Sequence, residues 1–178
     1  VLVDTTMSLP LVTQNGSLFF EHLKRLCCVE ATKRGVGFFA LSKSHGLPSI
    51  EQVEALVRET AIEMGNAHAE HWFIRLPIPN LDPWPFPLPD GKRVPPYGAV
   101  SYLVRFHRNT PIMRLDVDFN YWQQYLRGAN DAATSANEAK VLGDLDYASH
   151  DQRAFGYPYP IKACHDRTSM KMAERVAL

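Results

Sequence analysis

Residues 36–41, Val-Gly-Phe-Phe-Ala-Leu, form an apolar run of strand length in a chain of 178 residues. A helix is predicted before this run, over Ser17–Lys33, because apolar residues recur at helical spacing and Gly35 follows. Another helix is predicted from Ser49 onward. The chain opens with a second buried-strand pattern, Val1–Asp4. This order of strand, helix, strand and helix predicts an α/β fold in which two parallel strands are joined by a right-handed crossover.

Each of these two strands ends beside a residue suited to chemistry. Asp4 closes the first strand and Lys43 follows the second, so parallel pairing places both at one edge of the sheet. A carboxylate at this position is costly to bury without a partner such as a divalent cation or a buried base. A loop-capping role is the equal alternative for Asp4. Lys43 is suited to contact a phosphate, and a solvated loop is its alternative.

A β-hairpin is predicted further along the chain. Residues 99–107 and 112–119 alternate apolar and polar side chains, and Asn109-Thr110 lies between them as a turn. Arg114, Asp116 and Asp118 share one face of the second strand. The two carboxylates suit either a metal ion or a salt-bridge ladder on an exposed sheet face, and we prefer the ladder.

Prolines dominate the interval between the second helix and the hairpin. We interpret Asn66–Pro96 as a long surface excursion of a single domain, residues 1–178, and not as a linker, because strand pattern resumes directly afterwards. His68 and His71, at the start of this interval, are interpreted as solvated surface residues.

Helices are predicted after the hairpin over residues 119–127 and 135–145, and from Pro160 onward. The last helix follows Phe-Gly-Tyr-Pro-Tyr at residues 155–159. Proline fixes φ and lacks an N–H, so it imposes an extended approach and a defined helix start. Tyr157 lies just before this helix and His165 within it, so both can face one site. An aromatic-proline clamp that docks the helix is the simpler interpretation.

Composition limits the class of protein. Lysine plus arginine and aspartate plus glutamate both total 19, so the net charge of zero does not support a surface coated in positive charge for nucleic acid, although a local basic groove stays open. Three cysteines form neither a CxxC pair nor an even-numbered disulfide framework, which favours a reducing cytoplasm. The sequence has no basic leader and no window of about 20 apolar residues, which predicts a soluble protein. Serine-hydrolase, P-loop and dinucleotide-binding signatures are absent from it.

In their order along the chain, these features resemble the NurA nuclease family. The resemblance rests on Val-Leu-Val-Asp at residues 1–4, Ala-Leu-Ser-Lys-Ser at 40–44, the hairpin with Pro-Ile-Met-Arg-Leu-Asp at 111–116, and Gly-Tyr-Pro-Tyr-Pro at 156–160. It covers nearly the whole chain. Its most specific part is the tyrosine-proline motif with a histidine, His165, eight residues after the first tyrosine.

The resemblance implies a ribonuclease-H-like fold, with a mixed sheet flanked by helices, and a manganese-dependent DNA nuclease, with magnesium as the alternative ion. Enzymes of this family act as single-strand endonucleases and 5′–3′ exonucleases. They resect DNA ends in double-strand break repair with a HerA-type hexameric ATPase, and they work as dimers. By the same resemblance Asp4 is a metal-binding aspartate, Tyr157 an active-site tyrosine, and His165 a catalytic or metal-binding histidine.

Two departures from the family pattern define an alternative. The family has Asp-Gly where this chain has Asp4-Thr5, and it uses an aspartate and a glutamate upstream of the strand that Asp4 ends. Since the chain starts at that strand without a Met, we expect residues 1–178 to be the C-terminal portion of a nuclease domain, N-terminally incomplete and inactive or nearly so alone. The alternative is a non-catalytic module of the same fold that binds a translocase. A nuclease acting on RNA is a third interpretation.

Overall fold

The computed structural model describes residues 1–4, 23, 26–43, 71–78, 98–107, 110–154 and 156–168, without the side chains of Asp4, His165 and Thr168. The strands in this part are β1 (Leu2–Asp4), β2 (Phe39–Ser42), β3 (Trp72–Arg75), β4 (Ala99–Arg105) and β5 (Met113–Asp118). The helices are α1, residues 26–33, then α2 (Phe119–Tyr121), α3 (Asp131–Ala148) and α4 (Tyr159–Thr168). A π-helical turn, Trp122–Leu126, continues α2.

The strands form one mixed sheet in the order β1-β2-β5-β4-β3. β1 and β2 are parallel, and the other neighbouring pairs are antiparallel. The predicted parallel pair is confirmed, with Asp4 beside Leu41, and so is the predicted hairpin, with Ala99 beside Asp118. The α/β class with a mixed sheet is therefore as the sequence predicts.

β3 differs from the sequence-based prediction. Its residues, Trp72–Arg75, lie inside the interval 66–96 that the proline pattern assigns to a surface excursion. Trp72 pairs with Arg105 and Arg75 pairs with Tyr102, so this strand forms an edge of the sheet. The strand ends before Pro77, so its backbone N–H groups stay available for pairing. Residues 79–96 of the interval lie outside the described part.

The sheet is buried on both faces. One face carries the main core, where strand side chains pack against the π-helical turn, α3 and α4; its members include Phe39, Leu41, Val100, Tyr102, Val104, Leu115, Val117, Trp122, Leu126, Leu142 and Ile161. On the opposite face Ala40 and Ala99 pack with Cys28 of α1. Burial of a large apolar side chain contributes about 1.5–3 kcal/mol, so the main core face supplies most of the hydrophobic stabilisation.

α3 begins four residues earlier than the predicted helix over 135–145, because Asn130 caps it. Asn130 has an extended backbone and its side-chain oxygen accepts a hydrogen bond from the Ala133 N–H at 2.8 Å. Asp131 in the first turn adds a favourable interaction with the helix dipole. The helix that starts at this cap is 18 residues long. It places Glu138 against the sheet and Asp146 in its own last turn. Among the described residues, no helix has both the length and the apolar character needed to cross a bilayer.

Candidate functional site

One end of the sheet, which we call the carboxyl end, is where β1 and β2 both finish. Asp4 lies beside Leu41, and Lys43 directly follows β2, so the common edge predicted for Asp4 and Lys43 is confirmed for their backbones. Because β5 is antiparallel to β2, it begins at this end, with Arg114 beside Ser42. β4 therefore ends there and β3 begins there.

Lys43 and Tyr157, two of the predicted site residues, are in contact at this end. The Lys43 Nζ lies 3.8 Å from the centroid of the Tyr157 ring. Tyr157 is buried and Lys43 is exposed, so the ring supports the ammonium group at the surface. A cation–π contact of this kind contributes about 0.5–1 kcal/mol at an exposed site. It places one positive charge at the carboxyl end of the sheet.

Residues 149–154 and 156–158, which we call the connector, carry the chain from α3 to α4 and position Tyr157. Gly156 has a φ of +79°, and its N–H donates to the Ser149 carbonyl at 2.6 Å. The Tyr157 N–H donates to the Ala154 carbonyl at 2.9 Å. α4 then starts at Tyr159, so the predicted entry into a helix at this motif is confirmed.

An arginine braces the connector against α4. The Arg153 guanidinium donates to both carboxylate oxygens of Asp151, at 2.9 and 2.7 Å, and lies 3.7 Å from the Tyr159 ring centroid. Hydrogen bonding from Arg153 lowers the pKa of Asp151 to about 2, so this carboxylate is ionised at neutral pH. Arg153 thus joins the connector to the first residue of α4.

We expect Gly156→Ala to lower the free energy of unfolding by about 2–4 kcal/mol, because a side chain at positive φ costs about 1–2 kcal/mol and overpacking costs a similar amount. A Cβ at this position would collide with the Thr110 Cγ2, on the turn between β4 and β5. Urea denaturation measures the loss. Gly143→Ala is the matched control, since a Cβ there meets open space within α3, and it is expected to stabilise by about 0.5–1 kcal/mol. The same sign for both substitutions would contradict the close approach at Gly156.

Asp4 and His165 lie on elements that contact each other. Asp4 ends β1, His165 lies in α4, and α4 packs against β1. Their side chains lie outside what the structure describes, so metal binding by this pair stays a prediction. The backbone arrangement brings the two elements, together with Lys43 and Tyr157, to the same region of the fold.

Asp116 and Asp118 are held by protein groups, and the salt-bridge interpretation is confirmed for Asp116. The Arg114 Nε donates to Asp116 Oδ1 at 2.7 Å, and the Ser101 hydroxyl donates to the same oxygen at 2.6 Å. Asp118 accepts from the Thr32 hydroxyl at 3.2 Å and from the backbone N–H of Tyr121 at 3.0 Å, a hydrogen bond that caps α2. The expectation of an exposed face is wrong, because Asp116 is 0% and Arg114 6% exposed. α1 lies on this face, and two-sided burial turns a surface ladder into an internal ion pair.

Glu138 is a buried acid that sequence reasoning missed. It is 1% exposed, and its Oε1 accepts hydrogen bonds from the Tyr102 hydroxyl and the Trp122 indole at 2.8 Å and from Arg75 at 3.2 Å. Burial, together with the Glu138 charge, raises the pKa of Tyr102 well above its usual range. One signal was present in the sequence: Thr134, Glu138 and Leu142 recur at four-residue spacing and form the buried stripe of α3. The site joins α3 to the sheet and has a structural role.

His71, predicted to be a solvated surface residue, is partly exposed and belongs to a polar cluster that the sequence did not predict. Its Nδ1 lies 3.0 and 3.1 Å from the two carboxylate oxygens of Asp146. His150 Nε2 lies 3.6 Å from Asp146 Oδ1, and the two imidazole rings are 4.9 Å apart at 89°. Asp146 lies in the last turn of α3, and His150 follows four residues later, just beyond the end of the helix. The third member, His71, could not be associated with them from the sequence, because it lies 75 residues earlier than Asp146. His68 lies outside the described residues.

A cleft opens beside this cluster, between α3 and the pair β3 and β4. It has a volume of about 170 Å³. Apolar side chains line it together with His71, Arg105 and Asp146; the apolar members include Phe73, Val104, Phe106 and Leu142. The cluster therefore stands at the rim of a cavity large enough to hold several water molecules or a small ligand group.

A scan against models of protein families, a search of curated proteins and a search of solved structures each found no match to this chain.

Proposed function

We propose that this chain is part of a metal-dependent DNA nuclease of the NurA type, with a ribonuclease-H-like fold. One observation carries the proposal. The four predicted site residues lie on adjoining elements. β1, which ends at Asp4, pairs with β2 and contacts α4, the helix that contains His165. Lys43, just after β2, contacts Tyr157, just before α4. The carboxyl ends of parallel strands are where α/β sheets usually bind ligands. The ordered resemblance along the chain supplies the reaction, hydrolysis of a phosphodiester.

Asp4 and His165 are the proposed ligands of a manganese ion, with magnesium as the alternative. Carboxylate oxygen suits both ions, and imidazole favours manganese of the two. The packing of α4 on β1 supports a shared site for the two residues. Two ligands hold an ion loosely, so the proposal includes the further aspartate and glutamate that the resemblance implies. A bound divalent ion activates water and stabilises negative charge on the phosphate.

Lys43 and Tyr157 are proposed to position the DNA backbone. The ammonium of Lys43 is exposed and supported by the Tyr157 ring, so it can contact a phosphate oxygen without first being ordered by the substrate. Tyr157 lies two residues before the start of α4, and the positive end of this helix's dipole favours a nearby anion. These residues then orient the phosphate, and Asp4 with His165 hold the ion.

The partners in this proposal are DNA, as single strands or duplex ends, a HerA-like hexameric ATPase and a second copy of the chain. A cytoplasmic location is part of the same proposal. The alternative is a non-catalytic module that binds the translocase, which the Asp4-Thr5 departure from the family pattern favours.

In the full-length protein, Asp4→Ala is expected to reduce manganese-dependent cleavage of single-stranded DNA by at least about 100-fold, because a catalytic metal contributes several kcal/mol to transition-state stabilisation. His165→Ala is expected to have a similar effect. Lys43→Met is expected to weaken DNA binding more than it slows cleavage at saturating DNA. Gel-based cleavage with a labelled oligonucleotide, at varied DNA concentration, separates these effects.

Asp144→Ala is the matched control, because it removes an exposed carboxylate of α3 that has no part in the proposed site. Circular dichroism checks that each variant is folded. Undiminished cleavage by folded Asp4→Ala overturns the assignment of Asp4. Absence of cleavage by the wild-type full-length protein, with retained binding to the ATPase, supports the non-catalytic module instead.

A further inference from the structure

We infer that His71, Asp146 and His150 form a second metal site, which binds a zinc-class divalent ion and is distinct from the proposed manganese site. Their candidate ligand atoms all lie within 4.8 Å of one another. The site joins the residue that precedes β3 to the last turn of α3 and to the first residues of the connector.

The two distances from Asp146 are close to those between ligand atoms that surround one ion. With metal bonds of about 2.0–2.2 Å, neighbouring ligand atoms in a tetrahedral site stand about 3.3–3.6 Å apart. Asp146 Oδ1 lies 3.0 Å from His71 Nδ1 and 3.6 Å from His150 Nε2. The largest distance between two of the ligand atoms is at most 4.8 Å, so it must shorten by at most about 1.5 Å to reach the tetrahedral value. Both histidine side chains are 37% exposed, which leaves them room to move.

The donor set selects the class of ion. Two imidazoles with one carboxylate favour zinc and neighbouring late transition metals, whereas manganese and magnesium prefer sites built mainly from oxygen. Asp146 is the one acidic residue among the three ligands. When the ion binds, the hydrogen bond between Asp146 and His71 is replaced by one metal bond to each residue. Three protein ligands leave a fourth position for water, as in open zinc sites. Two of the three ligands, His71 and Asp146, also line the cleft of about 170 Å³.

The sheet separates this site from the proposed nuclease site. β1 and β3 are the two edge strands, and four strand spacings of about 4.8 Å place them roughly 19 Å apart. Both sites lie at the carboxyl end of the sheet, since β1 ends there and β3 begins there. His150 lies in the connector seven residues before Tyr157, and no described contact joins the two residues.

The test measures zinc binding directly, in the full-length protein after chelator treatment. Zn²⁺ is titrated by calorimetry, and Co²⁺ is added as a spectroscopic probe because its visible absorption reports coordination geometry. We expect one tight site per chain that excess Mn²⁺ does not displace. His71→Gln, Asp146→Asn and His150→Gln are each expected to weaken it more than about tenfold, since even partners beyond the ligand shell cost 10–100-fold.

Asp144→Asn is the matched control, because it removes the same charge from an exposed position two residues from Asp146, and it is expected to leave zinc binding unchanged. Asp4→Ala is also expected to retain the site, and His150→Gln to retain manganese-dependent cleavage, so this proposal and the nuclease proposal fail separately. The inference is overturned if the wild-type protein binds no zinc, or if all three ligand variants still bind it. The cluster would then be only a hydrogen-bonded His–Asp pair with a neighbouring histidine. Using three single substitutions at partly exposed positions protects the test against one unfolded variant.

Discussion

Replacing Glu138 with alanine is expected to lower the free energy of unfolding by about 3–5 kcal/mol, because it removes a buried carboxylate that is the common acceptor of two buried donors and of the partly exposed Arg75. Glu138 Oε1 accepts from Tyr102, Trp122 and Arg75, and the first two donors are 0% and 3% exposed. In the alanine variant these donors lose their common acceptor, at about 1–3 kcal/mol for each buried group left without one. Urea denaturation followed by circular dichroism measures the loss.

A second variant separates charge from hydrogen bonding at this site. Glu138→Gln keeps an acceptor oxygen but lacks the charge opposite Arg75, so its expected loss is smaller, about 1–3 kcal/mol. Asp144→Ala, an exposed acid on the same helix, is expected to change stability by less than about 0.5 kcal/mol. Similar losses for Glu138→Ala and Asp144→Ala would contradict a role for Glu138 in joining α3 to the sheet.

The elements that sequence reasoning predicted well are those with a long, regular pattern. β4 and β5 alternate over seven and six residues, which is enough to establish both strand type and pairing. β3 has four residues beside a proline-rich interval, too few to show a period of two. Its place in the sheet depends on pairing with β4, a contact between residues about 30 positions apart. Short edge strands of this kind are determined by tertiary structure more than by local pattern.

For the candidate sites, the sequence predicted some of the residues but not the residues they contact. Lys43 and Tyr157 were each predicted as site residues, yet their contact depends on the connector folding back over the sheet. Glu138 and Asp146 were passed over, because acids on a helix are usually solvated and only the fold brings Tyr102 and His71 to them. Side-chain clusters that join distant segments have no signature in a single sequence.

Replacing Asp116 with alanine is the other change with a large expected effect, a loss of about 3–5 kcal/mol in the free energy of unfolding. Asp116 is fully buried in the central part of the sheet and accepts from Arg114 and Ser101. Without this carboxylate, a guanidinium that is 6% exposed loses its 2.7 Å ion-pair contact. Domains are stable by about 5–15 kcal/mol, so thermal and urea denaturation are expected to show a large fraction of the stability lost.

A double-mutant cycle tests whether Asp116 acts through Arg114. Arg114→Met and Asp116→Leu are each expected to destabilise strongly, while the double variant is expected to lose about 1–3 kcal/mol less than the sum, since apolar replacement of both charges removes the desolvation cost. Arg34→Met is the matched control, because Arg34 is exposed and pairs with Glu30 at the surface. Additive losses would contradict the coupling.

If Asp116 has only a structural role, the folded Asp116→Leu variant is expected to bind manganese as tightly as the wild type. Weaker binding would make this aspartate a candidate metal ligand again.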